Sequence, residues 1–193
     1  MNYNSISRFA SLMLILALGA CSLPADVDAP MVAMGNFALG HNIVVVKDPQ
    51  IGPFSRKASD EELQAALVAG IARRFEPYEG EKLFNLGIKI DAYALAVPGV
   101  PLVFKPNSFL IINAIVWDDA AGLRLNEEAK QLTIVEGLSG QTLVSSGLTR
   151  NKAKQLEVLS DNAAKAIQDW LLEHPEWFEM PTQDTANTDV PTN

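Results

Sequence analysis

Cysteine is almost absent, since Cys21 is the only one in 193 residues. A lone thiol excludes an intramolecular disulfide and any site built from two thiolates, so the core alone must hold the fold. Histidine is nearly as scarce. His41 and His174 lie far apart, and no His or Cys pair stands at metal-ligand spacing. The longest apolar run, Phe9 to Leu18, falls well short of the roughly 20 residues a bilayer-spanning helix needs. Positive charge is in deficit, with 15 Lys and Arg against 23 Asp and Glu for a net charge of −8. That balance argues against nucleic acid and against docking on anionic lipid heads. No glycine-rich loop stands between a strand and a helix to cradle phosphate. Gly137-Leu138-Ser139-Gly140-Gln141 lacks the second glycine of a serine-hydrolase elbow. Asp91 and Glu136 would make a glycosidase pair only if they faced one cleft, which nothing in the sequence requires. Asp118 and Asp119 read as turn residues rather than cation ligands. The expectation is a chain that is not an enzyme and holds no cofactor and no metal.

What is present begins at the N-terminus. A short polar start with one cation, Arg8, is followed by the apolar centre and then by Leu18-Gly19-Ala20-Cys21. The layout is that of a secretory leader, and the last four residues resemble the lipobox of bacterial lipoproteins: a Leu, two small residues and the Cys. Gly19 stands where Ala or Ser is more usual. The resemblance implies cleavage before Cys21, transfer of a diacylglyceryl group to its thiol and acylation of the freed amine. Each buried methylene contributes about 0.8 kcal/mol, and one chain binds only marginally, so two or three acyl chains make a lasting anchor. Ser22, being other than Asp, implies export to the outer membrane, facing the periplasm. Loss of Arg8 with the leader makes the mature chain one charge more negative still.

The expected organisation is a signal peptide over 1–20, the lipidated Cys21 and a tether over 21–35, one domain over 36–180 and a disordered polar tail over 181–193. The tether contains Pro24, Pro30 and Gly35 and shows neither helical nor strand period. The first strand is expected at Asn42 to Lys47, where the unbroken β-branched run Ile43-Val44-Val45-Val46 suggests burial on both faces and a central place in the sheet. Pro49, Gly52 and Pro53 then mark a loop. Ser59-Asp60-Glu61-Glu62 fits a capping box for a helix running to about Phe75, with Leu63, Leu67 and Ile71 on its apolar stripe. Arg73 and Arg74 suit the negative end of that helix, read as a solvated terminus in preference to a ligand clamp. Leu83 to Ala96 has period two, placing Leu86, Ile88, Ile90 and Ala92 on one face and Lys89, Asp91 and Tyr93 on the other.

Pro98, Pro101 and Pro106 exclude regular strand pairing from the apolar stretch around Val100, Leu102, Val103 and Phe104. That stretch either folds back onto the core or forms a partner-binding lip, and those four residues are the candidate contact. Further strands are expected at Ser108 to Trp117, Lys130 to Glu136 and Thr142 to Ser146. A last helix runs from Lys152 to about His174, with Leu156, Leu159, Ala163, Ile167, Trp170 and Leu171 as its stripe. Trp177 and Phe178 are expected to tuck back onto the domain.

The order β-α-β-β-β-β-α predicts an α+β fold: a mixed, largely antiparallel sheet of about five strands with two helices packed on one face. This order resembles the small domains of accessory lipoproteins of the bacterial envelope, as do the strand end Ile115-Val116-Trp117-Asp118-Asp119, the turn glycine Gly122 and the Ala-rich final helix. The resemblance implies a non-catalytic accessory or assembly subunit that binds another envelope component. A carrier of a small apolar ligand, held between helices and sheet, is the alternative, and a periplasmic hydrolase comes third.

Overall fold

The computed structural model describes residues 31–97, 108–135 and 151–179. The elements are β1 (Phe37–Ile51), α1 (Asp60–Phe75), β2 (Lys82–Ala94), β3 (Phe109–Asp118), β4 (Leu123–Arg124), β5 (Lys130–Val135) and α2 (Lys152–Leu172), closed by a 3₁₀ turn at Pro175–Phe178. The sheet is five-stranded: β1 lies beside β2, β2 beside β3, and β3 carries both β4 and β5 along its other edge. β1 and β2 run parallel, because α1 carries the chain back between them. The remaining pairings are antiparallel. The α+β class with two helices therefore stands, and the described fifth strand is the short β4. The expected strand at Thr142 to Ser146 lies outside the described residues.

β1 differs from its expectation. It is an edge strand among the described residues, and Ile43 and Val45 are 57% and 48% exposed while Val44 between them is buried. A β-branched run satisfies a pleated surface whether or not both faces are covered. The local pattern therefore could not tell a central strand from an edge one. Period two in β2 is correct up to Ile90. A register shift between Ile90 and Ala92 then turns the strand over, so Tyr93 is buried rather than wet. Its hydroxyl accepts from the Ala58 amide and donates to the Ala58 carbonyl, both at 3.2 Å.

Both helices pack on one sheet face. Leu63, Leu67, Ile71 and Phe75 of α1, with Leu156, Leu159, Ala163, Ile167 and Leu171 of α2, meet Leu86, Ile88, Ile90, Ile112, Ala114 and Val116 in one buried core. The capping box is formed: Ser59 Oγ accepts from the Glu62 amide, and Glu62 Oε2 accepts from the Ser59 amide at 2.8 Å. Glu62 also pairs with Lys152 at the start of α2 at 2.6 Å, so one side chain fixes the starts of both helices. Arg73 stays half exposed to solvent, as expected of the helix terminus, but neither arginine ends in solvent alone. They reach across to α2, Arg73 to Asp161 at 2.5 Å and Arg74 to Gln168 Oε1 at 2.8 Å.

α1 and α2 approach closely at Gly70, where an added Cβ would lie 2.8 Å from the carbonyl carbon, carbonyl oxygen and Cβ of Ser160. Helix propensity favours Ala over Gly by about 1 kcal/mol, but the clash is largely with backbone and overpacking costs typically 1–3 kcal/mol. Gly70→Ala should therefore lower stability by about 1–2 kcal/mol in urea titration, and a stabilised variant would show that the helices have room to part. A second expectation concerns acid. The hydrogen bonds from Lys152 and from the Ser59 amide hold the Glu62 carboxyl below its ordinary value. A depressed folded value gives stability that is present above the unfolded pKa, about 4.3, and lost as pH falls through the folded one. Glu62→Gln should thus be less stable than wild type at pH 7, with the gap closing by pH 3. An unchanged gap would remove the charge from the account.

Candidate functional site

Four places bring exposed or polar groups together: the uncovered sheet face, a hollow at its far end, the turn after β3, and the buried chain of hydrogen bonds where residues 31–36 enter the domain. The uncovered face follows from the alternation in β1 to β3. With both helices on one side, Ile43 and Val45 of β1, Leu83 of β2 and Trp117 of β3 stand 42–57% exposed on the other. The register aligns Ile43 with Gly87 and Ile115, and Val45 with Lys89, Asn113 and Gln131. An apolar row therefore runs beside a polar one.

At the end of this face both β1 and β2 slip register, between Val46 and Gln50 and between Ile90 and Ala92. Asp48 takes the left-handed conformation, φ 48°. The two bulges open a hollow of about 410 Å³ lined by Lys47, Asp48, Gln50, Lys89, Asp91 and Gln131, among others. Of its two carboxylates, that of Asp91 is occupied: Lys89 Nζ lies 2.6 Å from Asp91 Oδ1 as an ion pair, and the Asn113 amide donates to Asp91 Oδ2. Asp91 is thus held among its own neighbours. Glu136, its suggested partner for acid-base chemistry, lies outside the described residues, as does Ser139.

The turn after β3 is built by its own aspartates. Asp118 Oδ1 accepts from the Ala121 amide at 2.9 Å, Asp119 Oδ1 accepts from the Asn85 side-chain amide at 2.7 Å, and Gly122 takes φ 63°. Both carboxylates are used in shaping the β3–β4 hairpin. Among the described residues no three His, Cys, Asp or Glu side chains cluster to hold a metal ion. His41 lies on β1 with its backbone amide donating to Asn85, and His174 stacks on Trp177. The helix–sheet seam, where a small apolar ligand would sit, is filled by the core side chains named above.

The chain enters the domain earlier than position 36. Met34 is buried in the core, and the Val32 carbonyl accepts from the Tyr78 hydroxyl at 2.7 Å. That hydroxyl also accepts from Gln168 Nε2 at 2.5 Å, and Gln168 Oε1 accepts from Arg74. Burial, the dominant influence, raises the Tyr78 hydroxyl above its ordinary value, so it stays a donor. Asn36 donates its amide to the Phe178 carbonyl at 2.8 Å. Residues 31–36 and the last described turn therefore leave from one end of the sheet, where β1 and β2 begin. Val97 and Ser108 stand at the opposite end, where β2 finishes and β3 starts.

Cys21 and the candidate contacts Val100, Leu102, Val103 and Phe104 lie outside the described residues. The sequence reading missed the open sheet face, because Ile43 and Val45 were assigned to the interior, and it passed over Phe54, which sits 85% exposed in the turn after β1. The only available signal for Phe54 was an aromatic placed among Pro53, Gly52 and Ser55, where turn residues dominate.

No family model matches the chain, and no curated protein matches it. Among solved structures it is similar to a Xanthomonas campestris protein of the family DUF330, at 11% identity and a TM-score of 0.42, covering 80% of this chain and 92% of that one. It is also similar to a candidate lipoprotein from Caulobacter crescentus, at 12% identity and a TM-score of 0.33, covering 73% of this chain and 93% of that one. At this distance neither fixes what the chain does.

Tyr78→Phe should cost about 1–3 kcal/mol, because it removes the donor to Val32 and leaves the buried Gln168 amide only the weak acceptor Met34 Sδ at 3.9 Å. Thermal unfolding of the full chain checks this. A loss within error would mean that the junction at Val32 is held by Met34 packing alone.

Proposed function

We propose that this chain is an acylated lipoprotein, anchored through Cys21 to the outer membrane and facing the periplasm, where it serves as a non-catalytic accessory subunit that binds another envelope component. The observation that carries the reading is the placement of the sole cysteine at the end of Leu18-Gly19-Ala20-Cys21, directly after an apolar run too short to span a bilayer. Palmitate and related acyl chains on that residue supply the membrane affinity that the acidic chain lacks. Ser22 supports sorting to the outer membrane. No helix among the described residues is long and apolar enough to cross a membrane.

The domain supports the accessory part of the reading through what it exposes. Apolar side chains stand on the sheet face opposite the helices and in the turn after β1, and exposed apolar surface marks contact sites. In its polar hollow Lys89 pairs with Asp91, one of the two carboxylates that line it.

Growth of cells with labelled palmitate tests the anchor. Wild type should carry label and sediment with outer-membrane vesicles, whereas Cys21→Ala should lose the label and move to the soluble fraction. Equal labelling and sedimentation of the two would sink the proposal.

A further inference from the structure

The stretch of chain between Cys21 and the domain is shorter than the domain itself. The hydrogen bond from the Tyr78 hydroxyl to the Val32 carbonyl and the burial of Met34 fix the chain to the fold from Val32 onward. Only nine residues, 22 to 30, separate Cys21 from Met31, and that interval reaches about 35 Å at full extension. The 15 residues of β1 measure on the order of 45–50 Å at roughly 3.3 Å per residue. Turning the far end of the sheet to the membrane would carry Val32 that whole length away from it, beyond what those nine residues can span. With Cys21 in the bilayer, the end where β1 and β2 begin cannot be the end that points away.

That end carries apolar side chains in the open. Met31 and Val32 precede β1, Leu83 lies opposite Ala38 near the start of β2, Trp117 stands near the end of β3 and Leu123 pairs with Asp118 on β4, each 42–63% exposed. Backbone bonds hold them at one level of the sheet: the Asp119 amide donates to the Leu83 carbonyl at 3.1 Å, and the Lys82 amide to the Asn36 carbonyl at 3.2 Å. Tryptophan is the side chain enriched where a bilayer meets water. A short link supplies an effective concentration in the mM range, so a contact too weak to hold a free domain is populated by a tethered one. Charge then selects the lipid. Segments 73–82, 117–124 and 173–179, which meet at this end, carry eight Asp and Glu against four Lys and Arg. Of those cations Lys82 is paired with Glu179 and Arg73 with Asp161 of α2. An anionic headgroup layer would be repelled, whereas zwitterionic headgroups carry no net charge and offer ammonium groups to the carboxylates.

We propose that this end of the domain rests on the bilayer that anchors it, with Met31, Val32, Leu83, Trp117 and Leu123 seated in the headgroup layer of a zwitterionic lipid surface. This rests on the anchor at Cys21 proposed above and adds which surface of the domain the membrane covers. The opposite end, with the polar hollow and the turn after β1, is thereby presented away from the membrane.

The test uses the full-length lipidated chain in vesicles of phosphatidylcholine and phosphatidylethanolamine, with a nitroxide placed in turn through Leu123→Cys, Leu83→Cys and, at the far end, Phe54→Cys. All three replace exposed side chains, and acylation of Cys21 leaves the introduced thiol as the one free for labelling. Accessibility to a water-borne nickel chelate and to oxygen then reports the depth of each label. Labels at 83 and 123 should lose access to nickel and gain access to oxygen when the chain is on vesicles, while the label at 54 stays in water. Mixing phosphatidylglycerol into the vesicles should return nickel access to 83 and 123 while the protein still floats with the lipid. Flotation with all three labels in water would overturn the contact and leave the anchor intact. Shielding of 54 in place of 83 and 123, equal shielding of all three, or deeper shielding on phosphatidylglycerol would each overturn the contact as well. A chain that does not float with the vesicles would overturn the anchor and the contact together.

Discussion

Everything else in the domain hangs on a knot of aromatic rings at one end of the sheet. Phe37 stacks on Phe84 with centroids 5.5 Å apart and interplanar angle 3°, and it meets Phe178 edge-on at 5.5 Å and Phe75 at 5.7 Å. Those four rings come from the start of β1, the end of α1, the start of β2 and the closing turn, so a single contact set joins four separate parts of the chain. Aromatics make up only 7% of the residues. Concentrating four of them here supplies large buried area, with tilted, edge-on and stacked geometries that aromatic pairs favour. The parallel pairing of β1 with β2 depends on this, because α1 must return the chain to the same end before β2 can begin alongside β1.

The knot also decides which end of the domain can do what. With Met34 and Phe178 packed together, the described chain enters and leaves at one end, and the hydrogen bonds from Arg74 through Gln168 and Tyr78 to Val32 lock the entry. The other end is left to turns. There the register shifts between Val46 and Gln50 and between Ile90 and Ala92, the polar hollow and the Phe54 turn gather, while β1 shifts register once more between Leu39 and Asn42, nearer the aromatic end. The buried rings thus gather at one end of the strands and the turns at the other.

Helix contacts show how much an ordinary charge pattern can conceal. Arg73 and Arg74 fit the negative end of α1 and would be expected to interact with solvent, yet both cross to α2. Interhelical pairing of this kind is worth little for an exposed pair such as Arg73 with Asp161. The Arg74 contact matters more, since Gln168 is buried and would otherwise lack a donor for its carbonyl oxygen. Gly70 completes the seam by letting α1 approach the backbone of Ser160.

The sequence by itself determined whatever depends on neighbours a few residues apart. The Ser59–Glu62 box, the stripes of both helices, the even alternation from Leu86 to Ile90, the β3–β4 turn and the return of Phe178 were all legible, because capping, helical period and turn chemistry act over one to four residues. The lone cysteine and the lipobox-like residues before it are a local signal too. Only the tertiary structure decided that β1 is an edge among the described residues, that Ile43 and Val45 face outward, that Tyr93 turns inward after a bulge and that Phe54 is held out by the end of β2. Each of these rests on which distant segment lies beside which, and hydrogen bonds between distant strands leave no period in the sequence they join.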